Sequence, residues 1–424
     1  MRIVSPQNRY PEMYRQDQGK LSISVRAQEQ FIPIEDAEVL LKATGEEAPI
    51  EVLKTDRSGQ TETIDLPAPP LEWSLEPTEN KPYAEYTIEV RRAGFEPLIV
   101  EGIQVLPNTV ALQDAKLPLQ RNLTRQENIV IIPPNVLYGN YPPKIPEAAV
   151  KPEPPATGYI VLDQPVIPEF IIVHDGVPDD PSAPNYYVPY KDYLKNVASS
   201  EIYATWPIET IRANILAISS FALNRIFTEW YRGKGKNFNI TTSTAYDQKY
   251  VHNRNIYREI SQIVDEIFTN YVTRPGLRQP LLTQYCDGVK AQCPNWMTQW
   301  GSKDLGEQGV PTLDILRNFY GSTIYLGTAA QVAGVPASYP GYNLQVGSSG
   351  PAVRIIQQQI NGISNNYPAI PKLRTDGIFG NQTKQAVEIF QKVFHLPPTG
   401  IVDYPTWYKI SDIYVAVKRL AELT

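Results

Sequence analysis

The stretch Tyr190-Lys-Asp-Tyr-Leu-Lys-Asn-Val-Ala-Ser-Ser-Glu-Ile-Tyr-Ala-Thr-Trp206 decides how this chain is read. Its apolar residues fall at Tyr190, Tyr193, Leu194, Val197 and Ala198, the i, i+3, i+4, i+7 spacing of an amphipathic helix. The next position on that stripe is Glu201, a carboxylate where the pattern asks for an apolar side chain. Pro207 interrupts the segment soon afterwards. Local inconsistencies of this kind gather at functional sites. A buried Glu held by a structural hydrogen bond or ion pair leaves the same trace, so spacing alone leaves both roles open.

Downstream, Pro207 sits near the first turn of a second helix, and Glu209 suits the positive end of its dipole. That helix carries Ile211, Ile215, Ile218, Ala222 and Ile226 on one face. Ile256, Ile260, Ile263 and Ile267 repeat the spacing in a third. Between them, residues 238–250 read as a strand running into a loop, and 279–288 as a strand ending in a turn. With strand candidates at Tyr159-Ile-Val-Leu162 and Phe170-Ile-Ile-Val-His174, residues 159–335 form an expected α+β domain.

Upstream, residues 1–118 read as all-β. Short β-branched runs such as Leu21-Ser-Ile-Ser-Val-Arg26 and Tyr86-Thr-Ile-Glu-Val-Arg91 alternate with turns at Gly45, Gly59 and Gly94. A small N-terminal β-sandwich without catalytic residues is expected there. Residues 119–158 are Pro-rich (Tyr141-Pro-Pro-Lys-Ile-Pro146, Lys151-Pro-Glu-Pro-Pro155) and read as a semi-rigid linker with a possible cleavage site. Residues 338–424 form a small three-helix unit. Within it, Asp376-Gly-Ile-Phe-Gly-Asn-Gln-Thr383 and Thr399-Gly-Ile-Val-Asp-Tyr-Pro-Thr406 echo one another, each Thr placed to cap the helix that follows.

Composition narrows the function. The 424 residues are 42% hydrophobic and 20% charged, which allows several globular domains. A net charge of −6 argues against nucleic acid as a partner. No apolar run reaches the roughly 18 residues of a membrane span. The first residues lack the apolar core of a secretory leader, so neither leader nor membrane segment is expected. The two cysteines, Cys286 and Cys293, can be thiols, a bridge or zinc ligands. Three histidines in the whole chain (His174, His252, His395) offer little to complete a zinc site, and no metal or cofactor is expected. Asp247 and Asp287 are possible second carboxylates, but both read more simply as turn residues.

Two resemblances rest on quoted motifs. Leu344-x-x-Gly347-x-x-Gly350-x-x-Val353, Gln357-Gln358, Asp376-Gly-Ile-Phe-Gly380-x-x-Thr383-x-x-Ala386-Val387-x-x-Phe390-Gln391 and Thr399-Gly-Ile401 to Thr406-Trp407 resemble the peptidoglycan-binding domain of bacterial wall hydrolases. Tyr193-Leu-x-x-Val197-x-x-x-Glu201, Pro207, Gln248-x-Tyr250 and Tyr285 resemble the SpoIID/LytB family, whose catalytic members are lytic transglycosylases. The chain departs from that family at Ser219-Ser220, in place of Arg-Thr, and at the Cys286 to Cys293 turn. The whole layout, with Asn295-Trp-Met-Thr-Gln-Trp-Gly-Ser302, resembles the spore cortex-lytic enzymes of clostridia (SleC-like).

That resemblance implies a zymogen cut by a subtilisin-like germination protease and acting on spore cortex peptidoglycan outside the cytoplasm. It makes Glu201 the single acid/base of a lytic transglycosylase that leaves 1,6-anhydromuramic ends. One carboxyl suffices, because the sugar's own 6-hydroxyl replaces water. Tyr203, Trp206, Tyr250, Tyr285 and Trp300 become candidate sugar-binding aromatics, and Trp296 a further one, with core packing the alternative role for each. The alternatives are a non-catalytic wall-binding or amidase-enhancing protein, or an N-acetylmuramoyl amidase.

Overall fold

The computed structural model describes residues 17–29, 31–120, 128–137, 139–152 and 164–422. The strand expected at Tyr159–Leu162, parts of the Pro-rich segment and the chain's first residues lie outside that set.

The leading strands are β1 (Asp17–Ala27), β2 (Glu38–Ala43), β3 (Glu51–Lys54), β4 (Ile64–Ala68), β5 (Ala84–Arg91), β6 (Leu98–Val105), β7 (Val110–Leu117) and β8 (Asn128–Ile131), with a one-turn α1 (Glu72–Leu75). Their alternation sets which face is buried: Tyr86, Ile88 and Val90 of β5 and Leu21, Ile23 and Val25 of β1 turn inward. One sheet runs β3-β2-β5-β6-β8. At its centre the register between β5 and β6 shifts opposite Gly102, which sits at φ +81°. A side chain there would place Cβ 2.4 Å from the Ile132 carbonyl, so only glycine allows the bulge and the close pass of the chain after β8.

The middle region contains β9 (Val166–Ile167), β10 (Phe170–His174), β11 (Asn185–Pro189), α2 (Tyr190–Glu201), α3 (Ile208–Phe227), β12 (Ile240–Thr241), β13 (Ile256–Tyr257), α4 (Arg258–Ile267), β14 (Asn270–Thr273), β15 (Tyr285–Cys286), β16 (Met297–Thr298), α5 (Gln299–Glu307), α6 (Thr312–Tyr320), β17 (Tyr325–Thr328) and β18 (Gln331–Val332). Helix α2 follows its predicted stripe, with Tyr193, Leu194, Val197 and Ala198 fully buried. It also buries two lysines. Lys195 Nζ lies 2.8 Å from Asp265 of α4, while Lys191 bridges Asp265 and Asp412 of the C-terminal region. Burial opposes the Asp265 charge, yet the paired lysines hold its carboxyl well below the usual range.

Three expectations need correction here. Ile256 does not open the third helix. It lies in β13, which adds to the second leading sheet in the order β13-β7-β1-β4, pairing Ile256 with Leu112 and Tyr257 with Ala111. Around that strand Asn255 exchanges two hydrogen bonds of 3.0 Å with the Gln104 backbone, and Trp206 Nε1 donates to the Ser74 carbonyl of α1. The strands expected at 238–250 and 279–288 shrink to two residues each. In the latter, Gln279 and Gln284 turn their amides to the Pro-rich segment instead. That segment is no free spacer over its described part, since residues 128–131 pair with β6, Asn135 N–H donates to Tyr83 beside β5, and Leu137 and residues 139–152 lie on the middle region.

The C-terminal unit consists of α7 (Pro351–Ser364), α8 (Asn381–Val393) and α9 (Tyr404–Glu422). Its internal echo has a structural cause other than capping. Gln357 of α7 accepts from Gly377 N–H and donates to Asp376, the Ile378 carbonyl and Thr383. Gln391 of α8 repeats this with Gly400, Thr399, the Ile401 carbonyl and Thr406. Each Thr is a buried acceptor inside the first turn, and each Gln clasps the turn before the next helix. The unit also touches the leading strands, where Phe31 packs on Tyr367 and Gln60 donates to the Val393 carbonyl.

Candidate active site at the end of helix α2

Helix α2 stops at Glu201 because Ile202 turns extended and closes the last turn through its N–H to the Ala198 carbonyl. The half-buried Glu201 side chain thereby projects from the helix end into a small cavity of about 60 Å³. Oε1 accepts the Lys249 backbone N–H at 2.8 Å and the Tyr285 hydroxyl at 3.4 Å. Oε2 accepts Gln299 Nε2 at 3.1 Å, and the same amide donates to the Glu201 carbonyl at 2.7 Å. These contacts fix the carboxylate plane with groups from three separate parts of the chain.

Behind them stands a buried relay. Tyr193 donates to Gln248 Oε1 at 2.8 Å, and Gln248 Nε2 donates to the Tyr285 hydroxyl at 3.1 Å and the Ile218 carbonyl at 3.2 Å. Gln248 thus orients Tyr285 toward Glu201 and sets the backbone that presents Lys249 N–H. Burial, then the Glu201 charge, pushes the Tyr285 hydroxyl well above its ordinary pKa, so it stays a donor. Burial pushes the Lys249 ammonium down to about 8, against the pull of Glu201.

The other carboxylates are occupied. Asp287 lines the cavity, but its Oδ1 is capped by the backbone N–H groups of Val289, Lys290 and Ala291. Asp247 is fully buried and bound by Arg225, Tyr231 and Thr241. Cys286 and Cys293 form a disulfide that closes the Asp287 loop. Among the described residues no group of three or more His, Cys, Asp and Glu is placed to hold a metal ion. His174 stacks on Phe238, His252 on Tyr186, and His395 is half-buried in the C-terminal unit, where desolvation pushes its pKa down to about 3.

Of the five candidate sugar-binding aromatics, only Tyr285 lines this cavity. Tyr203, Trp206 and Trp300 pack against one another at 5% exposure or less, and the Tyr203 hydroxyl accepts the Leu137 N–H. Tyr250 stacks on Tyr193 and hydrogen-bonds His252. Trp296 lines a separate cavity with Arg274 and Tyr320. Sequence reasoning passed over Gln299, Lys249 and the cavity's outer wall, Tyr141 and Lys144. Gln299 stands within the quoted 295–302 motif and Lys249 between the two quoted residues Gln248 and Tyr250, so adjacency to the motifs was their only signal.

Residues 184–272 match the family model described as stage II sporulation protein (SpoIID), and residues 349–410 the one described as putative peptidoglycan binding domain. No curated protein matches the chain. Among solved structures, a 3-chlorocatechol 1,2-dioxygenase from Rhodococcus opacus 1CP overlaps with 11% identity and a TM-score of 0.17. The overlap covers 28% of this chain and 62% of that one, less than two thirds of its length, and is too slight to carry a fold. The chain is thus multidomain, with a SpoIID region followed by a C-terminal peptidoglycan-binding domain, and the pair points to action on cell-wall peptidoglycan. Among the described residues no helix is long and apolar enough to cross a membrane.

Proposed function

We propose that the chain is the zymogen of a lytic transglycosylase that cuts the glycan strands of spore cortex peptidoglycan, activated by a subtilisin-like germination protease. The observation that carries this reading is the position of Glu201. It is the one carboxylate lining the cavity, among the described residues, whose oxygens are not capped by its own loop. A carboxyl so placed protonates the glycosidic oxygen as the bond to the muramic C1 breaks. The resulting carboxylate then takes the proton of the C6 hydroxyl as that oxygen closes on C1, giving the 1,6-anhydro ring. Tyr285 and Gln299 hold it in register through both steps. The two leading sheets are read as a β-sandwich propeptide, and the C-terminal unit as the part that holds the enzyme to the wall.

Mass spectrometry of cortex digested by the protease-treated protein should show anhydromuramic ends. Reducing ends or freed stem peptides would remove the reading. Glu201→Gln should abolish release while circular dichroism stays unchanged. One observation favours a second reading, a non-catalytic glycan-binding role: Glu201 already accepts from Lys249, Tyr285 and Gln299. No activity in the processed wild type would select it, whereas full activity of Glu201→Gln would make Glu201 a bystander to the chemistry.

A further inference from the structure

We infer that Leu137 and residues 139–152 are a wall of the catalytic site, in which Lys144 meets an acceptor oxygen on a side arm of the bound sugar and Tyr141 is a positioning residue that acts through Lys249. The inference rests on the proposal that Glu201 works on a glycan.

The first observation is how the segment is held. A Pro-rich strand has few N–H donors, so each backbone bond it makes is a choice of partner. Leu137 N–H donates to Tyr203, Ile145 N–H to the Ala245 carbonyl, and Glu147 N–H to Gln284. The Ala149 carbonyl accepts Leu282 N–H, and Lys151 exchanges two bonds with the Gln279 amide. Arg225 grips the Glu147 carboxylate with two nitrogens at 2.6 and 3.0 Å. All these partners belong to the middle region. Asn135 N–H still donates to Tyr83 of the leading region, whereas from Leu137 onward the described backbone bonds go to the body that carries Glu201, and a protease cut ahead of Leu137 leaves that part in place.

The second observation is what the segment brings. Tyr141, Pro142 and Lys144 line the same cavity as Glu201, Tyr285 and Gln299. The Tyr141 hydroxyl donates to the Val136 carbonyl and accepts Lys249 Nζ at 2.8 Å, so it holds the residue whose N–H reaches Glu201. Lys144 Nζ sits 4.5 Å over the Tyr285 ring and 5.3 Å from the Phe221 ring, and among the described residues it gives one hydrogen bond, to the Asp247 carbonyl. An ammonium has three donors. Half-buried between two rings, with two of those donors given no oxygen acceptor among the described residues, it favours an acceptor oxygen from a ligand.

Size selects what that ligand part is. The cavity's 60 Å³ has room for a few waters and is far below the ~300 Å³ of a small-ligand pocket. A sugar ring stays outside. The acetamido or lactyl arm of an amino sugar enters, and its oxygen meets Lys144 while the ring lies across the mouth.

The test uses the full-length chain. In the Glu201→Gln background, calorimetry measures binding of chitotetraose and of an alternating GlcNAc–MurNAc tetrasaccharide, with and without Lys144→Met. Loss of one charge-assisted hydrogen bond should weaken binding by about 10- to 100-fold. A loss confined to the muramic ligand identifies the lactyl arm, and a loss with both identifies the acetamido arm; either supports the inference. Lys144→Arg should restore part of it. After protease treatment, Tyr141→Phe should lower kcat more than it raises KM, with the unfolding midpoint unchanged. Unaltered binding in Lys144→Met, or faster turnover in either variant, overturns the inference, since the segment would then be inert or an obstruction. If processed wild type releases no anhydro product while binding still depends on Lys144, the catalytic reading falls and this one stands.

Discussion

Replacing Arg225 by Met tests the joint on which the cavity wall hangs. The Arg225 side chain is fully buried and forms a 2.7 Å ion pair with the equally buried Asp247, as well as the two bonds to Glu147. Asp247 would keep its bonds from Tyr231 and Thr241 but lose its only cation in direct contact among the described residues. Removing one partner of a buried pair costs about 3–5 kcal/mol, because the remaining charge stays desolvated. For a region of this size that lowers the unfolding midpoint by about 6–20 °C. Trp230 reports the event directly, since the Arg225 guanidinium lies 5.1 Å and Lys151 Nζ 4.1 Å from its ring. Urea unfolding followed by tryptophan fluorescence should show the loss, and Asp247→Asn added to Arg225→Met should recover about 1–3 kcal/mol of coupling. A loss below about 1 kcal/mol, or simple additivity, would refute the argument and reduce the pair to the worth of a surface bridge.

Other outcomes follow from the same geometry. Gln299→Leu removes one donor to Glu201 and leaves the cavity's shape, so product release should fall by about 10- to 100-fold with cortex binding unchanged; a co-sedimentation assay separates the two. Opening the Cys286–Cys293 bridge frees a short loop and should cost about 2–3 kcal/mol on the loop-entropy account, and it loosens Asp287 at the cavity. Reductant should therefore lower activity before it lowers wall binding. Lys249 gives a pH signature. Its folded pKa of about 8 lies below that of the unfolded chain, so between about pH 8 and 10.5 the unfolded state binds more protons. This group's contribution to stability then rises with pH across that window, and the wild-type slope of unfolding free energy should exceed that of Lys249→Met. Equal slopes would place the ammonium in water.

Much of the architecture is legible in the residues because burial is periodic. The stripes of α7 and α8 point one face inward, those of α2 and α3 lie within helices buried nearly all round, and the alternation of β5 marks its sheet. Ile256 misled for the same reason: it continues the stripe of α4 while its backbone joins a sheet formed some 140 residues earlier, and periodicity says nothing about partners. The wall of Leu137 and residues 139–152 was invisible for another. Prolines announce an extended chain, but where it lies is decided by acceptors on Gln279 and Gln284, polar residues with no pattern of their own. Glu201 stood out because it breaks a stripe, whereas Gln299 breaks nothing. Tyr203, Trp206 and Trp300 are aromatic for packing, a use that composition does not separate from stacking on sugar.

The strand β13 has one more implication, for what a proteolytic cut yields. It is a ladder rung shared by two parts of the chain, with Ile256 and Tyr257 bonded to Leu112 and Ala111 and the Gln104 backbone sealed by Asn255. Severing the backbone between them leaves every one of those bonds intact. The nicked product should run as two bands on a denaturing gel and as one particle on a sizing column. Departure of the leading piece would bare a sheet edge and the apolar ground beneath it, which invites self-association. Cutting of the chain and release of the leading piece are then separate events, with separate rates.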